Sequence, residues 1–337
     1  MEIKFLKAGS GDCILIHHDK KNILIDGGND SAFLIDAYNQ IILREEKINL
    51  LIVTHHDDDH IKGILDLFKY LENKGTSPLI ETIIFNSPRK INNTFKVQEA
   101  NNLLSYKQAY DLENYLWKHD ATKRKWLTSL DETIKEQLQE QFGDLKLDIF
   151  SPKKEVLSKY ASNKGAYLSS DYRCDWNSSM KDLDRCLDDK SQDRTISNST
   201  SIVVHVTYKN QSILLTGDVT PKRFEEIIDE IRGKREQATF NYIKLPHHGS
   251  YRSLNSGILK KINCNNFIIS TNSKKHYLPN KRALLKIIKN RSSQNAINFF
   301  FNYGEVIPKL NIDKKQQAEY KISLEPNKDE WGYGINI

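Results

Sequence analysis

Six of the seven side chains in Thr54-His55-His56-Asp57-Asp58-Asp59-His60 can bind a metal ion. His55, Asp57 and Asp59 alternate along what reads as an extended loop and can face one side, while His60 turns into the segment that follows, so the spacing asks for two neighbouring cation positions. Imidazole and carboxylate together suit zinc, manganese or iron at a hydrolytic centre, and two such cations can activate a water and hold a phosphoryl oxygen at once. A solvated acidic loop with incidental histidines is the competing reading, and it needs no such density of ligands.

The flanking residues position this cluster. Ile48–Val53 is an apolar, β-branched run of buried-strand type, and Ile61–Phe68 continues with helical spacing, so the ligands sit on a loop at a strand's C-terminal end. Two later segments repeat the arrangement. Leu214-Leu215-Thr216-Gly217-Asp218 places a carboxylate just beyond a strand, where Asp218 can bridge two cations or, alternatively, cap a helix that starts at Pro221. Leu245-Pro246-His247-His248-Gly249-Ser250 puts paired histidines at another strand end; one can ligate while the other hydrogen-bonds a phosphate or protonates a leaving group. Gly9-Ser10-Gly11-Asp12 and Asp26-Gly27-Gly28 read as tight turns that let loops pack beneath the site.

The rest of the chain bounds the answer. At 337 residues, with 28% charged residues and mean hydropathy of −0.60, it is long enough for a large core and too polar for a membrane protein. No run is long and apolar enough to span a bilayer and the N-terminus lacks a signal-like stretch, so a cytoplasmic location is expected. Cys13, Cys174, Cys186 and Cys264 form no CxxC pair and read as ordinary thiols. A net charge of +6 is compatible with an anionic substrate without requiring one. Short strands are expected at Ile3–Leu6, Cys13–His17, Asn22–Ile25, Glu81–Phe85, Leu145–Phe150, Ser201–Tyr208, Ser212–Thr216, Tyr242–Leu245, Phe267–Ser270 and Ala296–Tyr303, with helices over Ala32–Leu43 and Pro221–Ile231. Between about 91 and 143 the pattern becomes helical, over Gln98–Trp117 and Trp126–Phe142, as an insertion would; residues 153–195 read as a polar loop or lid. Two strand-rich halves around a helical insertion fit a pseudo-duplicated sandwich forming one domain over residues 1–337.

Taken in order, Gly-x-Gly-Asp, Leu-Ile-Asp-Gly-Gly, Thr-His-x-Asp-x-Asp-His, Asn-x-x-Ser (Asn198 to Ser201), Leu-Leu-Thr-Gly-Asp and Pro-His-His-Gly-Ser resemble the metallo-β-lactamase superfamily, specifically the branch of the nuclease-like domain of the ComEC competence protein, over residues 3 to 280. The resemblance implies an α/β fold, a four-layer αββα sandwich, here with the helical insertion. It implies two divalent metal ions, zinc or manganese, one held by His55 and Asp57, the other by Asp59, His60 and His247, with Asp218 bridging. Asp59 and His248 are then the catalytic pair. Asp57 stands where most of the superfamily has histidine, which hardens the site towards manganese or magnesium. The usual third-motif histidine is replaced by Asn198-Ser199-Thr200-Ser201. Asn198, Ser201, Ser250, His276 and Lys244 are the expected substrate contacts, with Lys244, Arg252, Lys274 and Lys275 receiving backbone phosphates. The leading functional expectation is a phosphodiesterase or nuclease acting on DNA. A small-molecule esterase, lactonase or phosphorylcholine-esterase-like enzyme is the alternative. A third is a weakly active subunit that docks a protein partner, or self-associates, through the insertion.

Overall fold

In the computed structural model, residues 1–95, 106–118, 125–162, 174–187, 191–291 and 295–337 are described, and they build two seven-stranded sheets. The strands are β1 Glu2–Leu6, β2 Ile14–His18, β3 Lys21–Ile25, β4 Ile48–Val53, β5 Ile80–Phe85, β6 Lys125–Leu127, β7 Lys146–Phe150, β8 Val203–Tyr208, β9 Gln211–Leu215, β10 Ala238–Thr239, β11 Tyr242–Lys244, β12 Ile262–Asn263, β13 Asn266–Ile269, β14 Ile297–Phe301, β15 Ile322–Glu325 and β16 Gly332–Asn336. The helices are α1 Ala32–Leu43, α2 Asp58–Asn73, α3 Pro88–Phe95, α4 Lys107–Lys118, α5 Ile134–Phe142, α6 Lys154–Ser162, α7 Met180–Asp184, α8 Ile196–Ser199, α9 Pro221–Arg232, α10 Ser256–Lys260, α11 Lys281–Asn290 and α12 Lys314–Tyr320. One sheet runs β16-β1-β2-β3-β4-β5-β6, the other β15-β14-β13-β11-β9-β8-β7, and β10 pairs with β12 in a small third sheet.

Side-chain alternation sorts the core into three layers. Ile3, Phe5, Ile14, Ile16, Leu50 and Ile52 of the first sheet meet Val204, Val206, Ile213, Leu215 and Ile268 of the second in the interior between the sheets. The opposite faces carry Leu24, Leu51 and Val53 against Ile61, Ile64 and Leu67 of α2 and, on the second sheet, Leu214, Ile243 and Ile269 among Phe224, Ile227 and Ala283 to Leu285 of α9 and α11. The result is helix, sheet, sheet, helix, as the sequence leads one to expect. Strand β4, covered on both faces, is buried at all six positions, which is why it reads as a continuous apolar run.

Three departures from the sequence reading have physical reasons. Trp126 lies not in a helix but in β6, which pairs with β5 through Ile83 and Trp126 and puts the indole NH on the Phe85 carbonyl at 3.2 Å. The insertion is no appended module: Ala109, Leu112 and Leu116 of α4 belong to the same buried cluster as α2. Of the expected helix Gln98–Trp117, only the part from 106 lies within the described residues. Within 153–195, α6 and α7 are packed elements, with Leu157 and Tyr160 in one outer core and Met180 and Leu183 in the other; 163–173 and 188–190 lie outside the described residues.

β3, β4 and β5 are parallel in one sheet, and β9, β11, β13 and β14 in the other, so their carboxyl ends converge on one rim of the sandwich. Helix α2 reaches that rim because Gly27 and Gly63 touch: a Cβ on Gly63 would lie 1.9 Å from the Gly27 carbonyl oxygen. Backbone bonds from Gly27 N to His60 O (2.7 Å) and from Gly63 N to Gly28 O (2.8 Å) fasten the contact.

Candidate metal centre

Each loop at this rim delivers its side chains by a different device. After β4, Asp57 takes an extended conformation (φ −66°, ψ 146°) and caps α2, whose first turn holds Asp58 and Asp59. Carboxylates are favoured there by the positive end of the helix dipole. After β9, Asp218 is anchored by its own NH on Ser201 Oγ at 3.3 Å. After β11, His247 (φ 48°) and His248 (φ 54°) both adopt left-handed backbone, which costs non-glycine residues roughly 1–2 kcal/mol each. The bond from His247 NH to the Gly217 carbonyl (3.1 Å) holds that turn against the Asp218 loop.

Four histidines then obey one rule: Nδ1 is occupied and Nε2 is turned towards Asp218 or its neighbours. His55 Nδ1 meets Thr54 Oγ1 at 3.1 Å, His60 Nδ1 meets Asp26 Oδ2 at 2.7 Å, and His248 Nδ1 meets the Ser270 carbonyl at 2.9 Å. His247 Nδ1 meets Asp193 Oδ2 at 3.0 Å. On the other side, His60 Nε2 lies 3.3 Å from Asp218 Oδ1, and His248 Nε2 lies 3.5 Å from Asp218 Oδ2 and 3.4 Å from Asp59 Oδ2. His247 Nε2 is 3.9 Å from Asp218 Oδ2, and His55 Nε2 is 3.6 Å from Asp57 Oδ2. The Nε2 atoms of His55, His60 and His248 and Asp218 Oδ1 are buried without a hydrogen-bond partner among the described residues. Buried polar atoms are ordinarily satisfied, so a cluster of orphans aimed at one space fits a cation.

Ligand atoms of His55, His60 and Asp218 lie within 4.8 Å of one another, as do those of Asp59, His60 and His248. Two further groupings include Asp12 or Asp26, but those carboxylates are already engaged. Asp26 accepts from Thr54 N and Thr54 Oγ1, each at 2.7 Å, as well as from His60; Asp12 pairs with the Lys244 ammonium. They hold ligands and are not themselves free to ligate.

The electrostatics agree. Burial alone would lower His60, but Asp218 and Asp26 overcome it and raise its pKa well above the ordinary value. Likewise burial would lower His248, and Asp218 and Asp12 raise it. Burial would raise the Asp59 and Asp218 carboxyls, yet His248 and His60 bring both below the usual range. In the metal-free protein, protons on imidazoles thus answer carboxylate charge, and a bound cation would displace them.

The positions expected from sequence divide into three groups. His55, Asp57, Asp59, His60 and Asp218 are brought together. The two histidines of the last motif exchange places: it is His248, 2% exposed and tied to the floor at Ser270, whose Nε2 joins Asp59 and His60, while His247 stands at the open side against Asp193 with 25% of its side chain exposed. The expected substrate-facing role of His248 does not fit that burial. Among the expected substrate contacts, Ser201 is buried and supports Asp218, and Asn198 is buried with its amide on Asp193 Oδ2 at 2.6 Å. Ser250 is buried beneath the histidine turn. Lys244 has no exposed surface, pairs with Asp12 and donates to the Gly217 carbonyl at 3.0 Å, so it cannot receive a substrate phosphate. Arg252 turns to the Gln192 carbonyl (3.2 Å), whereas Lys274 and Lys275 are exposed, Lys275 meeting Asp58 Oδ2 at 3.1 Å. His276 is half-buried; burial first, then the nearby His247, lowers its pKa.

Asp26, Asp12, Asp193, Ser197 and Ser270 were not among the expected site residues. Asp26 and Asp12 lie in motifs read only as turns; Asp193 lies in a polar stretch with no pattern to single it out. Gly11 has a specific use: a Cβ there would fall 1.7 Å from the Asp59 carbonyl oxygen.

The family model of the Metallo-beta-lactamase superfamily matches residues 6–270. No curated protein matches the sequence significantly. Among solved structures, the chain is similar to Zn(2+)-bound PqqB from Methylobacterium extorquens (13% identity, 100% of each chain covered, TM-score 0.47). It is also similar to the metallo-beta-lactamase fold protein YhfI from Bacillus subtilis (12%, 99% of each chain, TM-score 0.43) and to the short form of human tRNase Z (12%, 100% of this chain and 99% of that one, TM-score 0.39).

Proposed function

Because the chain belongs to the metallo-β-lactamase superfamily, whose members are metal-dependent hydrolases, we propose that it is a metal-dependent phosphodiesterase that cleaves nucleic acid, DNA first among candidates. One observation carries the hydrolytic reading: buried, unpartnered Nε2 atoms of His55, His60 and His248 converge with Asp218 at a rim built from strand ends. Two divalent cations, zinc or manganese, would supply Lewis acidity and lower the pKa of a water there. His55, Asp57 and Asp218 would hold one, and Asp59, His60, His248 and Asp218 the other.

The protein's own groups supply the rest. Asp59 stays ionised beside His248 and keeps 19% of its side chain exposed, so it is the carboxylate able to orient the attacking water and take its proton. Asp26, Thr54 and Ser270 fix the imidazoles from behind, so the site is formed before substrate arrives. On the open side, Lys274, Lys275 and His276 lie where an anionic backbone would pass, and the net charge of +6 supports the same choice. The ComEC-like order of motifs supports DNA over a small ester.

The test is a panel of single-stranded DNA, duplex DNA, RNA, a generic phosphodiester, a lactone and a carboxylic ester, each with manganese, zinc or magnesium. Cleavage of DNA is expected. For Asp218→Ala protein, DNA affinity should fall with salt, each phosphate contact adding about −0.9 (duplex) or −0.7 (single strand) to the log–log slope. Turnover of the ester or lactone alone, with salt-independent or undetectable nucleic-acid binding, would replace this reading with a small-molecule hydrolase.

A further inference from the structure

Asp193 and His247 form a unit that neither the fold nor catalysis by the other ligands requires. Asp193 is 5% exposed, and four donors reach it: Thr195 N at 3.0 Å and Thr195 Oγ1 at 2.9 Å on Oδ1, Asn198 Nδ2 at 2.6 Å and His247 Nδ1 at 3.0 Å on Oδ2. A carboxylate so engaged has no oxygen left to ligate, but it fixes the proton of His247 on Nδ1 and leaves the Nε2 lone pair open. That Nε2 lies 3.9 Å from Asp218 Oδ2, and the left-handed backbone at His247 is what turns the ring there. The same short helix, α8, carries Ser197, whose hydroxyl is bonded to Asp57 Oδ1. Asp193, Asn198 and His247 therefore border the Asp57 side of the centre.

We propose that His247 is a fourth imidazole ligand, on the solvent-facing side of the cation position shared by His55, Asp57 and Asp218, and that Asp193 is the positioning residue that holds it. This rests on the metal-centre reading above but not on the choice of substrate. Three other histidines already show the pattern of an occupied Nδ1 and a Nε2 turned inward; Asp193 extends it to the one that faces solvent. The assignment also leaves Asn198 a buried brace, not a ligand, because its amide nitrogen is committed to Asp193.

Manganese(II) binding to chelator-stripped protein, counted by the electron paramagnetic resonance signal of the free ion, tests this without any activity assay. Wild type should bind two equivalents. His247→Gln and Asp193→Asn should each weaken one of them about 10–100-fold and leave the other unchanged, as loss of a ligand or its outer partner does. The double variant should bind no more weakly than His247→Gln alone, since Asp193 acts only through His247. Asp193→Glu should recover part of the loss. Unchanged affinity in His247→Gln, or additive losses in the double variant, would overturn the proposal. Wild type that binds no cation would overturn the metal-centre reading with it, whereas normal binding without DNA cleavage would leave this proposal standing and remove only the substrate.

Discussion

Replacing Lys244 by Met should unfold the protein far more readily than it should impair nucleic-acid binding. The Lys244 ammonium has no exposed surface, pairs with Asp12, whose side chain is 1% exposed, and lies 3.9 Å from Asp218 Oδ1. Removing one partner of a buried pair leaves an uncompensated charge and costs about 3–5 kcal/mol. A second route gives the same order. Burial alone would raise the Asp12 carboxyl, but Lys244 and His248 bring it from 3.8 down to about 2. A depressed carboxylate adds stability that is present above its unfolded pKa and lost as pH falls through its folded one; here that is about 2 kcal/mol, disappearing between pH 3.8 and about 2. Urea unfolding in chelator of wild type, Lys244→Met, Asp12→Asn and the double variant measures the coupling. The double variant should regain at least half of the loss, because both charges then leave together. A loss under about 1 kcal/mol, additivity of the two changes, or a drop of one phosphate contact in the salt slope of DNA binding would refute the placement of Lys244 beneath the site.

Asp59→Ala should reduce hydrolysis by at least about a thousandfold with little change in thermal midpoint, since its side chain lies at the mouth; near-normal turnover under limiting metal counts against the assignment. His60→Ala should lose activity and stability together, because His60 is fully buried and its loss leaves Asp26 and Asp218 without their partner; a variant as stable as wild type in chelator contradicts that. Asp57→His should move the ratio of manganese- to zinc-supported activity towards zinc, and an unchanged ratio in folded, metal-loaded protein would show that Asp57 does not ligate. In chelator, His60 and His248, both raised, should stabilise the protein fully below about pH 6.5 and progressively less as pH climbs through their folded pKa values. A thermal midpoint that does not fall on the alkaline side would contradict this.

Sequence pattern revealed what is periodic or dense. Ala32–Leu43 and Ile48–Val53 are helix and strand at the bounds expected, because one carries a single buried stripe and the other is covered on both faces. The ligand loops were legible from the crowding of His and Asp at strand ends. Which of His247 and His248 faces inward was not, since two left-handed residues in succession set it and the partners, Ser270 and Asp193, come from distant strands or loops. Lys244 misled for a similar reason: a lysine's charge is visible in sequence, its burial against Asp12 is not. The last 57 residues, beyond the resembling motifs, also hid α11 and α12 and the strands that extend both sheets, β15 beside β14 and β16 antiparallel to β1.

Because His55 to His60 come from the first sheet and Asp218 to His248 from the second, a cation held between them is a cross-link between segments far apart in sequence. Such a clip closes a long loop and acts as a staple whose strength scales with free metal, adding about 2.7 kcal/mol at a hundredfold excess over the dissociation constant. The two sheets part only if that staple opens. Resistance to proteolysis should therefore rise with metal concentration even in a variant that cannot turn over substrate, making the centre a fastener of the sandwich as well as a place for chemistry.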